Sequence, residues 1–296
     1  MSRESNNTTK GFSLLELMVS MVIMLAISGA LMSALSSYQK SYASTQLQAG
    51  MHQDLRSAAE MMTQEIGQAG AVGLPPSTTL SAAVGTSILA QSVPVSSSAG
   101  IFVGEKLLVD AGPSQELVTV TNVASSPSTV TAVFANAHIL NAPVSAAGVF
   151  PEGILSSSTA TQLNLFGDIN GDGNPVYVRY TCDTAAGTFS RSVTPISAGA
   201  VNPPVVLVQN LVANPGGSPC FQYAPDTVVG GFTFRTSVAL TLTVQSSERD
   251  PQTGAFQTMT KSFWNLTPRN IVAGVNLATV GQAARLQPTP PGLATW

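Results

Sequence analysis

The apolar and polar positions of this chain fall into three successive patterns. From Leu14 to Leu35 nearly every residue is apolar, and Glu16 is the only ionisable one. A helix of that length can cross a hydrocarbon layer roughly 30 Å thick. Beyond it the pattern becomes one-faced. Tyr38, Tyr42, Met51, Leu55, Ala58, Met62, Ile66 and Ala69 recur mostly three or four apart, with Lys40, Gln48, Asp54, Arg56, Glu60 and Gln64 between them. That period predicts an amphipathic helix. No proline interrupts residues 12–70, so both stretches can form one helix, about 85 Å long at 1.5 Å per residue. Gly67, Gly70 and Gly73, followed by Pro75-Pro76, end it through backbone freedom and lost donors.

The third pattern has a period of two. It predicts short strands at Ile101–Val103, Lys106–Asp110, Glu116–Asn122, Thr129–Phe134 and Ala142–Val149. Longer ones follow at Thr161–Phe166, Val176–Cys182, Thr188–Thr194, Val205–Val212, Val228–Arg235, Val238–Ser246 and Phe256–Thr267, separated by Gly, Pro and Ser turns. Asp183–Gly187 reads as the turn of a hairpin. The predicted class is α+β, with antiparallel sheet covering the apolar face of the long helix. Its parts are a helix over 12–74 (membrane half 12–36), a Ser/Thr/Ala-rich linker over 75–99 and a small inserted β module, barrel or sandwich, over 100–150. A β-rich head over 151–280 follows. The tail over 281–296 holds Pro288, Pro290, Pro291 and Gly292, has little to bury, and is expected to be loose.

Composition narrows the partners. Of 296 residues only 9% are charged and the net charge is −3, so no basic surface argues for nucleic acid. Ser, Thr, Ala, Val, Gly and Pro dominate after residue 75, as in β-rich proteins outside the cytoplasm. Arg3 and Lys10 precede the apolar run and Lys40 follows it, a small bias that puts the N-terminus in the cytoplasm. A lone glutamate facing lipid costs ~2.5–3.5 kcal/mol, so Glu16 calls for a partner or a function.

The residues around that glutamate are Lys10-Gly11-Phe12-Ser13-Leu14-Leu15-Glu16. This run resembles the class III signal of type IV pilins and type II secretion pseudopilins. The resemblance implies a leader over 1–11, cut by prepilin peptidase between Gly11 and Phe12, and N-methylation of Phe12. It also implies that the apolar helix is retained and carries a globular head. Glu16 would become the fifth residue of the processed chain, where the family has the glutamate that neutralises a neighbouring subunit's terminal amine. The competing readings are an ordinary signal peptide cut after Ser28-Gly29-Ala30, and a plain membrane anchor, which leaves Glu16 unexplained. Residues 51–73 and the run WNLTPRNIV, 264–272, further resemble PilW-type minor pilins, the latter as their last strand. Ser33 stands where major pilins usually carry a kinking proline.

Candidate chemistry is sparse. Asp168, Asn170, Asp172 and Asn174, with Gly173, match the first half of an EF-hand loop, but Arg179 holds the place of its bidentate glutamate. Two readings stand: a calcium site completed from other loops, or an Asx-type turn. Cys182 and Cys220 are the only cysteines. In an oxidising compartment they can close a loop worth ~3–4 kcal/mol in the loop-entropy model; the other reading is two separate buried thiols. The two histidines, His52 and His138, show no pairing with a nucleophile, His138 reading as a turn or strand-end residue, and the nucleophile, zinc and phosphate-loop motifs are missing.

The expectation is therefore a structural protein and not an enzyme. The reading is a PilW-like minor pilin that helps to initiate or cap a type IV pilus. The alternatives are a minor pseudopilin of a type II secretion system or a pilus-tip adhesin using the 100–150 module. Its expected partners are prepilin peptidase, other major and minor pilins and the inner-membrane assembly platform. It would sit in the inner membrane with a periplasmic head before joining the pilus.

Overall fold

Helix α1, Leu14–Gln68, runs unbroken for 55 residues in the computed structural model, which describes residues 11–75, 78–290 and 293. The leader positions 1–10 lie outside these. The chain divides into two compact units, Met1–Gly50 with Ser246–Gln257, and Met51–Gln245 with Thr258–Trp296. In the first unit the apolar side chains from Leu14 to Leu35 are exposed all round the helix. Tyr38 and Tyr42, expected on the packed face, are exposed as well. Among the described residues α1 is the one helix long and apolar enough to span a membrane.

In the second unit the one-faced pattern acts as predicted. Met51, Leu55, Ala58, Met62, Ile66 and Ala69 form one side of the main core. The other side comes from antiparallel strands β7 (Gln162–Gly167), β8 (Val176–Asp183), β9 (Thr188–Pro195) and β10 (Val205–Gln209), ordered β10-β9-β8-β7. Alternate residues Val176, Val178, Tyr180 and Cys182 of β8 are buried, as a period of two requires. A second sheet is built on the long strand β15, Val238–Arg249, paired with β11 (Leu211–Val212), β12 (Phe221–Tyr223) and β16 (Phe256–Leu266). Strands β13 (Thr227–Val229) and β14 (Phe232–Phe234) form a hairpin. The class is α+β: a long apolar helix packed on antiparallel sheet, with several small sheets. A disulfide joins Cys182 of β8 to Cys220, 38 positions on and just before β12.

A separate core lies over residues 80–144 and is held between two three-stranded sheets. One is β1 (Gln91–Pro94), β5 (Ser128–Ala132) and β4 (Asn122–Ser125); the other is β3 (Glu116–Thr119), β2 (Lys106–Val109) and β6 (Val144–Ala146). Residues 79–95, expected to be linker, belong to it: Leu80, Val84, Val93 and Val95 are buried, and Leu80 bridges to Val95. Val93 and Val95 alternate, but Ser and Ala around them give the stretch the composition of a linker.

Two further expectations differ. The run 264–272 is not one strand, because β16 ends at Leu266 and helix α2, Arg269–Thr279, begins after Pro268. Proline suits a helix start, where no amide donor is needed. Ile271, Gly274 and Ala278 then face the core at helical spacing. Nor is the described part of the tail loose. Leu286 and Gln287 are fully buried, and the Gln287 amide receives Lys106 N–H at 2.8 Å and donates to the carbonyls of Lys106 and Ala147. A buried side-chain amide with every group paired pins the chain where little apolar surface is available.

Candidate functional site

The start of α1 is shaped by Ser13 and Glu16. Leu15 N–H donates to Ser13 Oγ at 3.3 Å, and Ser13 N–H donates to Glu16 Oε2, also at 3.3 Å. The Glu16 bond is half of a capping box and the Ser13 Oγ bond is an N-cap to the second helical amide; together they satisfy amides that a helix start leaves without partners. The S-x-x-E spacing before an apolar run carried that signal in the sequence, although only the charge of Glu16 was read from it. Glu16 also lies in the first turn, where a carboxylate meets the positive end of the helix dipole. Gly11 has open space about it and Phe12 is 86% exposed, so the Gly11–Phe12 peptide bond is uncovered.

Residues 6–32 match the family model for the prokaryotic N-terminal methylation motif. The chain carries this methylation motif. The motif indicates a type IV pilin-like or pseudopilin precursor, processed by prepilin peptidase and assembled through a membrane-associated helix. Its family consists of structural proteins. The apolar helix together with the motif fits a single-pass inner-membrane pilin. No curated protein and no solved structure matches the chain.

The far end of the pilin-like helix is tied into the head. Gly70 has φ +81°, and its N–H donates to the Phe166 carbonyl of β7 at 2.8 Å. A β-carbon there would lie 2.7 Å from the Phe150 carbonyl oxygen, so only glycine suits the exit. The Asn270 side chain donates to the Gln68 carbonyl at 3.2 Å, capping the helix from α2. Within the helix, Glu65 accepts hydrogen bonds from the Tyr180 hydroxyl and from the Arg191 guanidinium. Burial and then the Glu65 charge push the Tyr180 hydroxyl well above its usual range. Burial by itself would lower Arg191, but its bonds to Glu65 and the attraction of that carboxylate raise it.

The 168–174 loop packs beside the helix exit, with Asp168 N–H donating to the Ala71 carbonyl at 2.9 Å. Asp168 is buried, and its two carboxylate oxygens accept the amides of Asp172 and Gly173, each at 3.0 Å. Asp172 Oδ1 accepts the Asn174 amide at 2.9 Å. These are the bonds of an Asx turn. The loop oxygens outside these bonds are Asp172 Oδ2, the amide oxygens of Asn170 and Asn174, and main-chain carbonyls. Calcium takes six to eight oxygens, and among the described residues no three His, Cys, Asp or Glu side chains gather to hold a metal.

The inserted module holds an arrangement that the sequence reading missed. His138 is buried, its Nδ1 lying 3.1 Å from Asp110 Oδ2 and its Nε2 lying 2.6 Å from Glu116 Oε1. Glu116 also accepts the amides of Ala135 and Asn136 at 2.8 and 3.2 Å. The Ala111 amide, and then His138, hold the Asp110 carboxyl below its usual range. Asp110 and Glu116 flank the turn between β2 and β3 and are brought together by that pairing, while His138 lies 28 and 22 positions further on. His138 also pairs with Val84 in an isolated bridge outside the strands, so it has a structural pairing but ends no strand. His52 lies on the exposed side of α1.

Proposed function

We propose that this chain is a minor pilin, PilW-like in its helix, which helps to initiate assembly or form the tip of a type IV pilus. The observation that carries the reading is the division of labour along α1. Its N-terminal stretch presents apolar side chains on all sides together with one glutamate, while its C-terminal stretch is buried under the head's own sheet. A helix committed to one sheet along one half and bare along the other fits a subunit that exchanges lipid for neighbouring helices. On this reading prepilin peptidase cuts between Gly11 and Phe12, Phe12 is methylated, and Glu16 meets the terminal amine of an adjacent subunit. The N-terminus faces the cytoplasm and the head faces the periplasm until the subunit enters the pilus. The chain is a substrate of processing enzymes and has no catalytic role of its own.

The test combines chemistry and phenotype. Mass spectrometry of the mature chain is expected to give N-methyl-Phe12 as its first residue; a chain beginning at Leu31 overturns the reading. Deletion of the gene is expected to abolish or reduce piliation. Lost secretion with normal pili would identify a pseudopilin instead, and normal pili with lost attachment an adhesin.

A further inference from the structure

The 168–174 loop contains two peptide bonds of the kind most prone to attack by their own backbone, Asn170–Gly171 and Asp172–Gly173. The fold treats them in opposite ways. The Gly173 amide, the would-be nucleophile of the second, donates to Asp168 Oδ2 at 3.0 Å and is buried. A β-carbon on Gly173 would lie 2.2 Å from the Leu74 carbonyl carbon, so that residue is packed closely against the backbone of Leu74. Gly171, by contrast, has nothing within 4 Å of the β-carbon position, and its N–H makes no hydrogen bond to any described residue. The Asn170 side chain is exposed and likewise makes no hydrogen bond. Attack within one chain needs no encounter, so freedom of the nucleophile and of the amide decides its rate.

We propose that Asn170 is a site of spontaneous deamidation in the folded protein, while Asp172 is protected by Asp168. The Gly171 nitrogen, losing its proton to solvent base, bonds to Asn170 Cγ. The Cγ–Nδ2 bond breaks and nitrogen leaves as ammonia. The resulting cyclic imide is opened by water at either carbonyl, which gives aspartate or iso-aspartate. No oxidant or reductant takes part, and the chain gains one negative charge. Asn170 lines a cleft of about 1040 Å³ together with Ser98, Gly100 and Ser128 of the inserted module. Asp172 is the one ionisable side chain among the described residues lining that cleft. Deamidation therefore doubles the cleft's carboxylate charge, and the iso-aspartate product also lengthens the loop backbone by one methylene. An exported subunit that is not replaced would change its surface in this way with age.

The experiment incubates the full chain in detergent at mildly alkaline pH, alongside the same chain in denaturant, and follows peptides over 162–179 by mass spectrometry. Expected is a native rate at Asn170 within about threefold of the denatured rate, with iso-aspartate at 172 forming at least about tenfold more slowly in the native chain than in the denatured one, a factor equivalent to 1.4 kcal/mol of barrier. A native rate at Asn170 more than about tenfold below the denatured one overturns the proposal. So does a mass gain that persists undiminished in Asn170→Gln, whose longer side chain closes the ring poorly.

Discussion

Arg191 Nε on strand β9 donates to Glu65 Oε2 on helix α1 at 3.1 Å, a contact that spans 126 positions of sequence. With the Tyr180 hydroxyl on the same carboxylate, one glutamate fixes the rotation of the helix against two strands. Breaking a buried pair from one side leaves the other charge without compensation, at ~3–5 kcal/mol when fully buried. Arg191 keeps some contact with solvent, so Glu65→Ala is expected to cost about 2–3 kcal/mol. Glu65→Gln, which retains an acceptor for Tyr180, should cost less. Urea unfolding of the detergent-solubilised chain measures both; equal midpoints for Glu65→Ala and wild type would remove the network from the account of stability.

Glu105 predicts an unusual dependence on pH. It is fully buried at the turn before β2, and its Oε2 accepts the Phe102 amide at 3.2 Å while Oε1 has no partner among the described residues. Burial pushes its carboxyl up to about 8 from an ordinary 4.5, against a smaller lowering by the Phe102 amide. The folded state thus holds a proton that the unfolded chain releases. Its contribution is constant below pH 4.5, falls by up to about 1.4 kcal/mol per unit between 4.5 and 8, and is constant again above 8. Glu105→Gln keeps the shape without the charge. The difference in stability between variant and wild type should grow across that window, and a difference independent of pH would contradict the assignment.

Glu16 has a local bond as well as its expected role in assembly, and two variants separate them. Glu16→Gln can still accept the Ser13 amide but carries no charge; Glu16→Ala loses both. If the charge serves assembly, both variants insert into the membrane and are cleaved, and both co-purify less with partner pilins. If only the cap matters, Glu16→Gln behaves as wild type.

Asp168 is expected to hold its loop without help from a metal. Asp168→Ala removes the acceptors of two amides, one of them buried, and should cost about 1–3 kcal/mol. Asp172→Ala, which removes one exposed bond, should cost less than about 1 kcal/mol. Thermal melts with and without millimolar calcium test both. A large calcium-dependent gain in the wild type that Asp172→Ala abolishes would favour the calcium reading over the Asx turn.

The sequence by itself determined the long helix, its apolar and one-faced stretches, the α+β class and the processing motif. Each of these is written in local spacing: Leu14 to Leu35 without interruption, Met51 to Ile66 at three and four, and a glycine and a glutamate at fixed distances from Phe12. It also supplied the cysteine pair and the paired Asp and Asn residues of the 168–174 loop. It did not show that residues 79–95 join the inserted module, because Val93 and Val95 are too few against their Ser and Ala neighbours. It carried the last strand on to residue 272, three residues past where helix α2 begins at Arg269, since a proline and an Ile271/Gly274/Ala278 face are weak signals beside the strand that precedes them. Only the tertiary structure brought His138 between Asp110 and Glu116, or Gln287 to Lys106. A hydrogen bond formed across 181 positions leaves no periodic trace. Which polar side chains become buried and paired depends on how the sheets meet, and spacing along one segment cannot encode that.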